Sequence, residues 1–216
     1  MSNVRSTSVR AALLTVPLAV VGILATATAP AGATADHHGK PVTCRGAGVD
    51  PDARVRYKTD TVIHASMRTI WKLQTEVERW PSWQAHITTM DRLDDGPLRK
   101  GSAFRWTTPV PPNPATPATS LDITSTVEQL KRNSCIRWTG PATGEGLHID
   151  GVHVWNFTKV KGGVRVTTEE THSGPQVDAN VPAATKILGD GLEAWMRDLK
   201  TTAEARTHHG QHSQAR

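Results

Sequence analysis

Three side chains in the stretch His148–Gly174 have the chemistry to move a proton: Glu170, His153 and His172. The stretch reads HIDGVHVWNFTKVKGGVRVTTEETHSG, two alternating runs joined at Gly162-Gly163. A Gly-Gly pair accepts the positive φ angles of a tight turn, so the sequence predicts an antiparallel hairpin here. With Gly162 and Gly163 as the turn, Lys161 faces Val164, and the register pairs Phe157 with Thr168, Trp155 with Glu170 and His153 with His172. Side chains alternate faces with a period of two. One face then carries Leu147, Ile149, His153, Trp155 and Phe157 beside Val164, Val166, Thr168, Glu170 and His172. It is apolar at its ends and polar in the middle, which suits the lining of a pocket better than the support of a core.

A carboxylate in an apolar pocket has a raised pKa and serves as a general acid or base. Histidines beside it titrate near neutrality. Such a set can deprotonate a carbon next to a carbonyl or protonate a leaving hydroxyl. The bland reading has equal weight: Glu170 pairs with an arginine or faces water at the sheet edge. A register slip of one residue would transfer the argument to Glu169. The two histidines and Glu170 are also metal-ligand types, yet their spacing shows no convergence, so no metal site is expected. His37-His38 and His208-His209 sit in tails. No Ser nucleophile elbow, Gly-rich phosphate loop or CxxC pair occurs, and no cofactor is expected.

Tryptophan is used heavily, seven residues against one Tyr and two Phe. Indole joins a large apolar face to one N–H donor, which suits a flat apolar ligand. The candidate ligand-binding residues are Trp71, Trp83, Trp106, Trp138, Trp155, Phe157, Thr168, Leu192 and Trp195. For any one Trp, core packing is the commoner role.

The elements that would position these residues follow in order. Val55–His64 alternates as strand one. Ser66 caps a short helix, Met67–Gln74, and Thr75-x-x-Glu78 reads as a capping box for a second one that stops at Trp80-Pro81. Strands are expected at Gln84–Leu93, Ser102–Thr108, Leu121–Leu130 and Cys135–Gly140, followed by the hairpin. Val110–Ala118, with four prolines in nine residues, is a loop, as is Gly174–Val181. One long helix spans about Pro182–Ala205, with Leu188, Leu192, Trp195, Met196, Leu199 and Ala203 on one stripe. Gly189 and Gly191 interrupt it, either to leave space for a ligand or to allow close helix–sheet contact. The expected class is α+β: seven antiparallel strands curling around a C-terminal helix with a cavity between them.

Around this domain, residues 1–35 read as a secretory signal, with Arg5 and Arg10 ahead of the apolar run Ala11–Ala25 and a small-x-small site at Ala33-Thr34-Ala35. The apolar run is too short to span a bilayer. Residues 36–53 read as a flexible lead-in, 54–206 as the domain, and 207–216 as a disordered tail. Removing the signal lowers the net charge from +5 to +3. That charge is mild and not clustered along the chain, so nucleic acid is not an expected partner, and neither is stable membrane insertion after cleavage. Export to an oxidising compartment favours a Cys44–Cys135 disulfide over two free thiols.

Several of these runs taken together resemble the START-like SRPBCC superfamily, in its polyketide cyclase/dehydrase branch. They are Ile63-His64-Ala65-Ser66, Ile70-Trp71, Trp80-Pro81-x-Trp83, Asp95-Gly96-Pro97-Leu98 and Gly101-x-x-Phe104-x-Trp106. Then come Ile136-x-Trp138-x-Gly140, His153-Val154-Trp155-x-Phe157, Thr168-Glu169-Glu170 with Gly174, and Leu192-x-x-Trp195-x-x-x-Leu199-Lys200. The resemblance covers about Arg54–Glu204. It implies a helix-grip fold with a deep apolar cavity for lipids, polyketides or similar molecules, and it implies no particular reaction. The expected function is binding of a hydrophobic small molecule by an exported protein. The alternative is a polyketide cyclase or dehydratase using Glu170 with His153 or His172. The export reading has a direct check: mass spectrometry of the secreted protein is expected to find Asp36 at the N-terminus, and a retained Met1 contradicts it.

Overall fold

A computed structural model describes residues 40–112 and 118–213, with side chains through Thr207. The signal segment expected at 1–35 lies outside the described residues, as does the middle of the proline loop. The domain begins with β1 (Val55–Ile63), α1 (Met67–Thr75) and a 3₁₀ turn (Val77–Ser82). Next come β2 (Thr89–Arg92), β3 (Ala103–Val110), β4 (Thr119–Lys131) and β5 (Cys135–Gly144). The hairpin strands β6 (Leu147–Val160) and β7 (Gly163–Ser173) follow, then α2 (Pro175–Asp178) and α3 (Val181–Ser213). All seven strands form one antiparallel sheet in the order β1-β7-β6-β5-β4-β3-β2. The fold is therefore the α+β helix-grip arrangement, with α3 held against the concave side of a curved sheet.

The strand order explains the short helices. β1 and β2 are neighbours in sequence and sit at opposite edges of the sheet. Only a segment that crosses the open side of the sheet can join them, and α1 with the 3₁₀ turn does so. Ser66 caps α1 by accepting from the Thr69 backbone N–H at 3.1 Å. The expected capping box at Thr75 does not form. Thr75 ends α1 and its hydroxyl donates to the Trp71 carbonyl, and the 3₁₀ turn has no side-chain cap. Its residue Trp80 is fully buried, driven into the space between sheet and α3.

The hairpin register differs from the expected one by two residues. Val160 faces Gly163, so Lys161 and Gly162 form the turn, and the pairs are Trp155 with Thr168, His153 with Glu170 and Gly151 with His172. Gly162 supplies the positive φ, +80°. Gly163 is needed for another reason: a Cβ there would run into the Ile63 carbonyl of β1. It is a strand residue selected for close approach. A shift of two keeps every side chain on its expected face, so Glu170 stays inside and Glu169 outside.

Several boundaries also move. β2 is four residues long, shorter than the expected strand at 84–93, and β5 runs on to Gly144. Pro175–Asp178 forms a helical turn where a plain loop is expected. The long helix continues to Ser213, past Ala205 and into the segment read as a tail. Its six stripe residues, Leu188, Leu192, Trp195, Met196, Leu199 and Ala203, are all buried. Gly189 serves close contact, since a Cβ there would stand 2.7 Å from the Tyr57 ring. Among the described residues no helix is long and apolar enough to cross a membrane.

The segment read as a flexible lead-in is docked from residue 40 on. Val42 and Cys44 are buried on the outer face of the sheet with Cys135 and Val154. The Val42 N–H donates to Glu169 Oε2 at 3.2 Å, Asn156 Nδ2 to the Thr43 carbonyl at 2.8 Å, and Arg137 Nε to the Gly48 carbonyl at 2.8 Å. Cys44 and Cys135 are joined by a disulfide with a Cα separation of 5.3 Å. Composition pointed to mobility, but the apolar and thiol side chains it contains have a partner surface waiting on β5 and β6. Closing a loop of 91 residues restricts the unfolded chain, worth about 4 kcal/mol in the chain-entropy account. Cys44→Ser/Cys135→Ser is expected to unfold at clearly lower urea concentration while retaining its far-ultraviolet spectrum. An unchanged midpoint counts against this reading of the strap.

Candidate functional site

Interior side chains of the sheet fall into two apolar clusters along α3. One gathers Trp80, Phe104, Trp138, Trp155, Trp195, Met196 and Leu199 near the short helices. The other holds Val55, Leu121, Ile123, Ile149, Leu188 and Leu192 toward the start of α3. Between them, strands β1, β7 and β6 bring Tyr57, Glu170 and His153 into one row by direct cross-strand pairing. His172 lies two residues along β7 from Glu170, on the same face. This polar row is the candidate site.

Two hydrogen bonds and one ion-pair contact link it into a chain. His153 Nε2 is 2.6 Å from Thr168 Oγ1, His153 Nδ1 is 3.2 Å from Glu170 Oε2, and His172 Nε2 is 3.3 Å from Glu170 Oε1. An ionised carboxylate only accepts. A neutral His153 with its proton on Nδ1, turned toward Glu170, leaves Nε2 to accept from the Thr168 hydroxyl. The Val154 carbonyl, 3.2 Å from Thr168 Oγ1, competes for that one hydroxyl proton. His172 places its Nε2 proton on the other carboxylate oxygen. Tyr57 adds a separate bond, its hydroxyl donating to Glu193 Oε1 of α3 at 3.1 Å.

Burial decides the charges. The His153 side chain is 4% exposed, and desolvation pushes its pKa down to about 4; the Glu170 carboxylate works the other way and His172 adds to the depression. Burial alone would raise the Glu170 pKa, as expected for a carboxylate in an apolar surround. The histidines beside it outweigh that effect, and its pKa lies below the ordinary value. The expectation of a raised pKa is thus corrected: Glu170 has no arginine partner among the described residues, and its histidine neighbours move its pKa down. In this state it is equipped to accept a proton, not to donate one. Glu170 and His172 are the reachable members, with side chains 18% and 22% exposed. His153 and Thr168 stand behind them.

The candidate ligand residues separate into groups. Trp138, Trp155 and Trp195 are buried and pack on one another, with Trp155–Trp195 ring centroids 5.6 Å apart. Trp106 is half-buried, donates to Ser125 Oγ at 3.1 Å and meets Trp195 edge-on. Leu192 lies in the other cluster. Trp71 and Phe157 pack edge-on at 5.4 Å, outside the Glu170 row. Trp83 packs against the aromatic cluster with its indole N–H unpartnered among the described residues. The aromatic half of the interior is thus largely ring against ring.

Four residues at the site were not among the candidate catalytic or ligand-binding residues. Trp80 touches Trp195 at 4.9 Å and also Phe104, Trp106 and Trp138. Gln74 is fully buried and accepts from Trp195 Nε1 at 3.3 Å. Tyr57 and Glu193 close the row from β1 and α3. A buried Gln at an inward helical position was the one signal open to sequence inspection. Among the described residues, no group of three or more His, Cys, Asp and Glu is placed to hold a metal ion.

Residues 54–204 match the family model described as polyketide cyclase/dehydrase and lipid transport. The chain belongs to this family. Solved structures agree on the fold. A START superfamily protein from Mycobacterium smegmatis is 15% identical at TM-score 0.53, over 69% of this chain and 97% of that one. A Thermus thermophilus protein is 13% identical at TM-score 0.55, over 70% and 98%. The di-domain ARO/CYC StfQ of the steffimycin biosynthetic pathway is 14% identical at TM-score 0.55, over 71% of this chain and 52% of StfQ. No curated protein matches the chain. As in the family at large, the shared element is the helix-grip frame, and identities this low carry the fold alone.

The buried neutral histidine sets a pH dependence. In the unfolded chain His153 takes up a proton below about pH 6.5; in the folded protein it does so only near pH 4. The unfolded state binds more protons in this window, so stability is full above pH 6.5 and falls as the pH drops toward 4. The lowered Glu170 pKa acts with the same sign at lower pH. Chemical denaturation at pH 7 and pH 5 is expected to show the wild type losing about 2 kcal/mol more than His153→Gln. Equal losses contradict a neutral buried His153.

Proposed function

We propose that this protein is exported and binds a hydrophobic small molecule, of lipid, polyketide or aromatic type, between α3 and the sheet. The observation that carries the reading is the polar row Tyr57, Glu170 and His153, with His172 beside it, set between two apolar clusters on the inner face of the sheet. Partly buried apolar side chains fringe both clusters: Trp71, Trp83 and Met90 on the aromatic one, and Tyr57, Val110, Leu147, Val181 and Ala184 on the other. Half-covered apolar side chains facing a concave sheet form the mouth of a ligand site. Glu170 and His172 sit at its floor. The membership in a lipid-transport and cyclase family supports the ligand class, and the signal-like residues 1–35 support export.

The geometry also favours a second reading. An ionised Glu170, held by a hydrogen bond from His172 with His153 3.2 Å from its other oxygen, has the form of a general base for proton abstraction beside a carbonyl. In that reading Glu170 is the catalytic residue and His153 a positioning residue. Export weighs against it, because polyketide tailoring usually uses carrier-bound intermediates inside the cell.

One experiment addresses both. A fluorescent fatty-acid or aromatic polyketide probe is expected to bind at one site per chain and quench Trp fluorescence. Leu192→Trp, which adds bulk at the buried wall between α3 and the sheet, is expected to weaken binding at least about tenfold with an unchanged circular dichroism spectrum. Glu170→Gln is expected to leave binding of an uncharged probe within about twofold. No binding across a broad apolar library defeats the first reading; turnover of a β-keto probe lost in Glu170→Gln establishes the second.

A further inference from the structure

We infer that the end of the molecule formed by the β1–α1, β4–β5 and β6–β7 turns is a docking surface for an anionic phospholipid bilayer. The inference is independent of the interior site. It starts from two open grooves that adjoin at Phe157 and Thr158. The larger, about 930 Å³, runs between the start of α1 and the β6–β7 turn, and the smaller, about 510 Å³, continues toward the disulfide. Arg68 and Lys159 line the first, Arg45 and Lys131 the second, and neither groove has an aspartate or glutamate in its wall. Arg132 and Lys161 extend from the two adjoining turns.

These six cations come from four separate parts of the chain: the N-terminal strap, α1 and two turns. All are exposed, and none forms an ion pair among the described residues. Elsewhere several cations do have carboxylate partners: Arg56 pairs with Glu169, Arg92 with Asp94 and Arg165 with Asp60. Like charges gathered without counterions repel, so this end is electrostatically unsatisfied in the isolated protein. The cations are spread over several turns around a groove and do not converge on one point, which fits a plane of headgroups rather than a single small anion. Half-buried Met67 and Val160 lie in the groove wall between them, apolar contacts that suit acyl chains at an interface and offer nothing to a nucleic acid backbone. Each cation near an anionic leaflet contributes roughly a fivefold gain in partitioning, falling off with salt.

The test uses the chain from Asp36, which contains every contact described above, in sedimentation with large vesicles. Vesicles of phosphatidylcholine with 30% phosphatidylglycerol, about a third anionic lipid as a flat-surface probe, are expected to bind the protein in low salt and release it in roughly 0.5 M NaCl. Pure phosphatidylcholine vesicles are expected to leave it in solution. Arg68→Glu/Lys159→Glu is expected to bind at least about tenfold more weakly. Lys186→Glu/Arg197→Glu, the same charge change on α3, is expected to stay within about twofold, and circular dichroism checks that both variants fold. The inference is overturned by absence of binding to the anionic vesicles, by equal binding to neutral ones, or by equal losses in the two variants. Displacement by millimolar glycerol phosphate would overturn it in favour of a free-anion site, and tighter binding to a duplex oligonucleotide in favour of nucleic acid.

Discussion

The packing of α3 onto the curled sheet rests on the indole of Trp195. Its ring stands against Trp80 from the 3₁₀ turn, Trp155 from β6 and Trp106 from β3, and its N–H finds an acceptor in Gln74 of α1. An indole can only donate, so the Gln74 carbonyl must face it, and the Gln74 amide is left turned elsewhere without a partner among the described residues. One side chain thereby fixes the helix, the crossing segment and two strands relative to one another. Edge-to-face ring contacts add a modest increment to the large area these rings bury.

That aromatic contact also sets where the candidate site lies. The rings fill one half of the interior, and the polar row Tyr57, Glu170, His153 marks where the aromatic cluster gives way to the aliphatic one. An ionised carboxylate at such a boundary is costly unless its hydrogen bonds are met. Here His172, partly exposed, hydrogen-bonds one carboxylate oxygen, and the buried His153 stands 3.2 Å from the other. The arrangement holds Glu170 in one protonation state and one orientation, which either use of the site, ligand orientation or proton abstraction, requires.

The outer face follows a different logic. The N-terminal strap covers Val154 and supplies Glu169 with a backbone donor, while Arg56 adds a charge partner at 3.3 Å. Adjacent carboxylates in β7 thus have opposite surroundings, and the alternation of the strand alone separates them. The disulfide ties this strap to β5 at the same end of the sheet where the unpaired cations collect, so the strap both closes the outer face and delivers Arg45 to that end.

Local pattern alone settled a good deal. The alternation of two in β6 and β7 placed His153, Trp155, Thr168, Glu170 and His172 on one face, and that assignment survived a register change because the change was an even number of residues. The helical stripe of α3 and the cap at Ser66 were equally visible, since each depends on neighbours within a few positions. Tertiary structure decided what depends on distant partners. It spent Gly163 on the Ile63 carbonyl and so moved the turn, made Trp80 a central ring, and lowered the Glu170 pKa through two histidines. It also gathered Arg45, Arg68, Lys131, Arg132, Lys159 and Lys161, scattered through the sequence, onto one end. Periodicity is a property of the local backbone and can be read from it; pairing, desolvation and summed charge depend on distances between residues far apart in the chain, and only the folded chain fixes those distances.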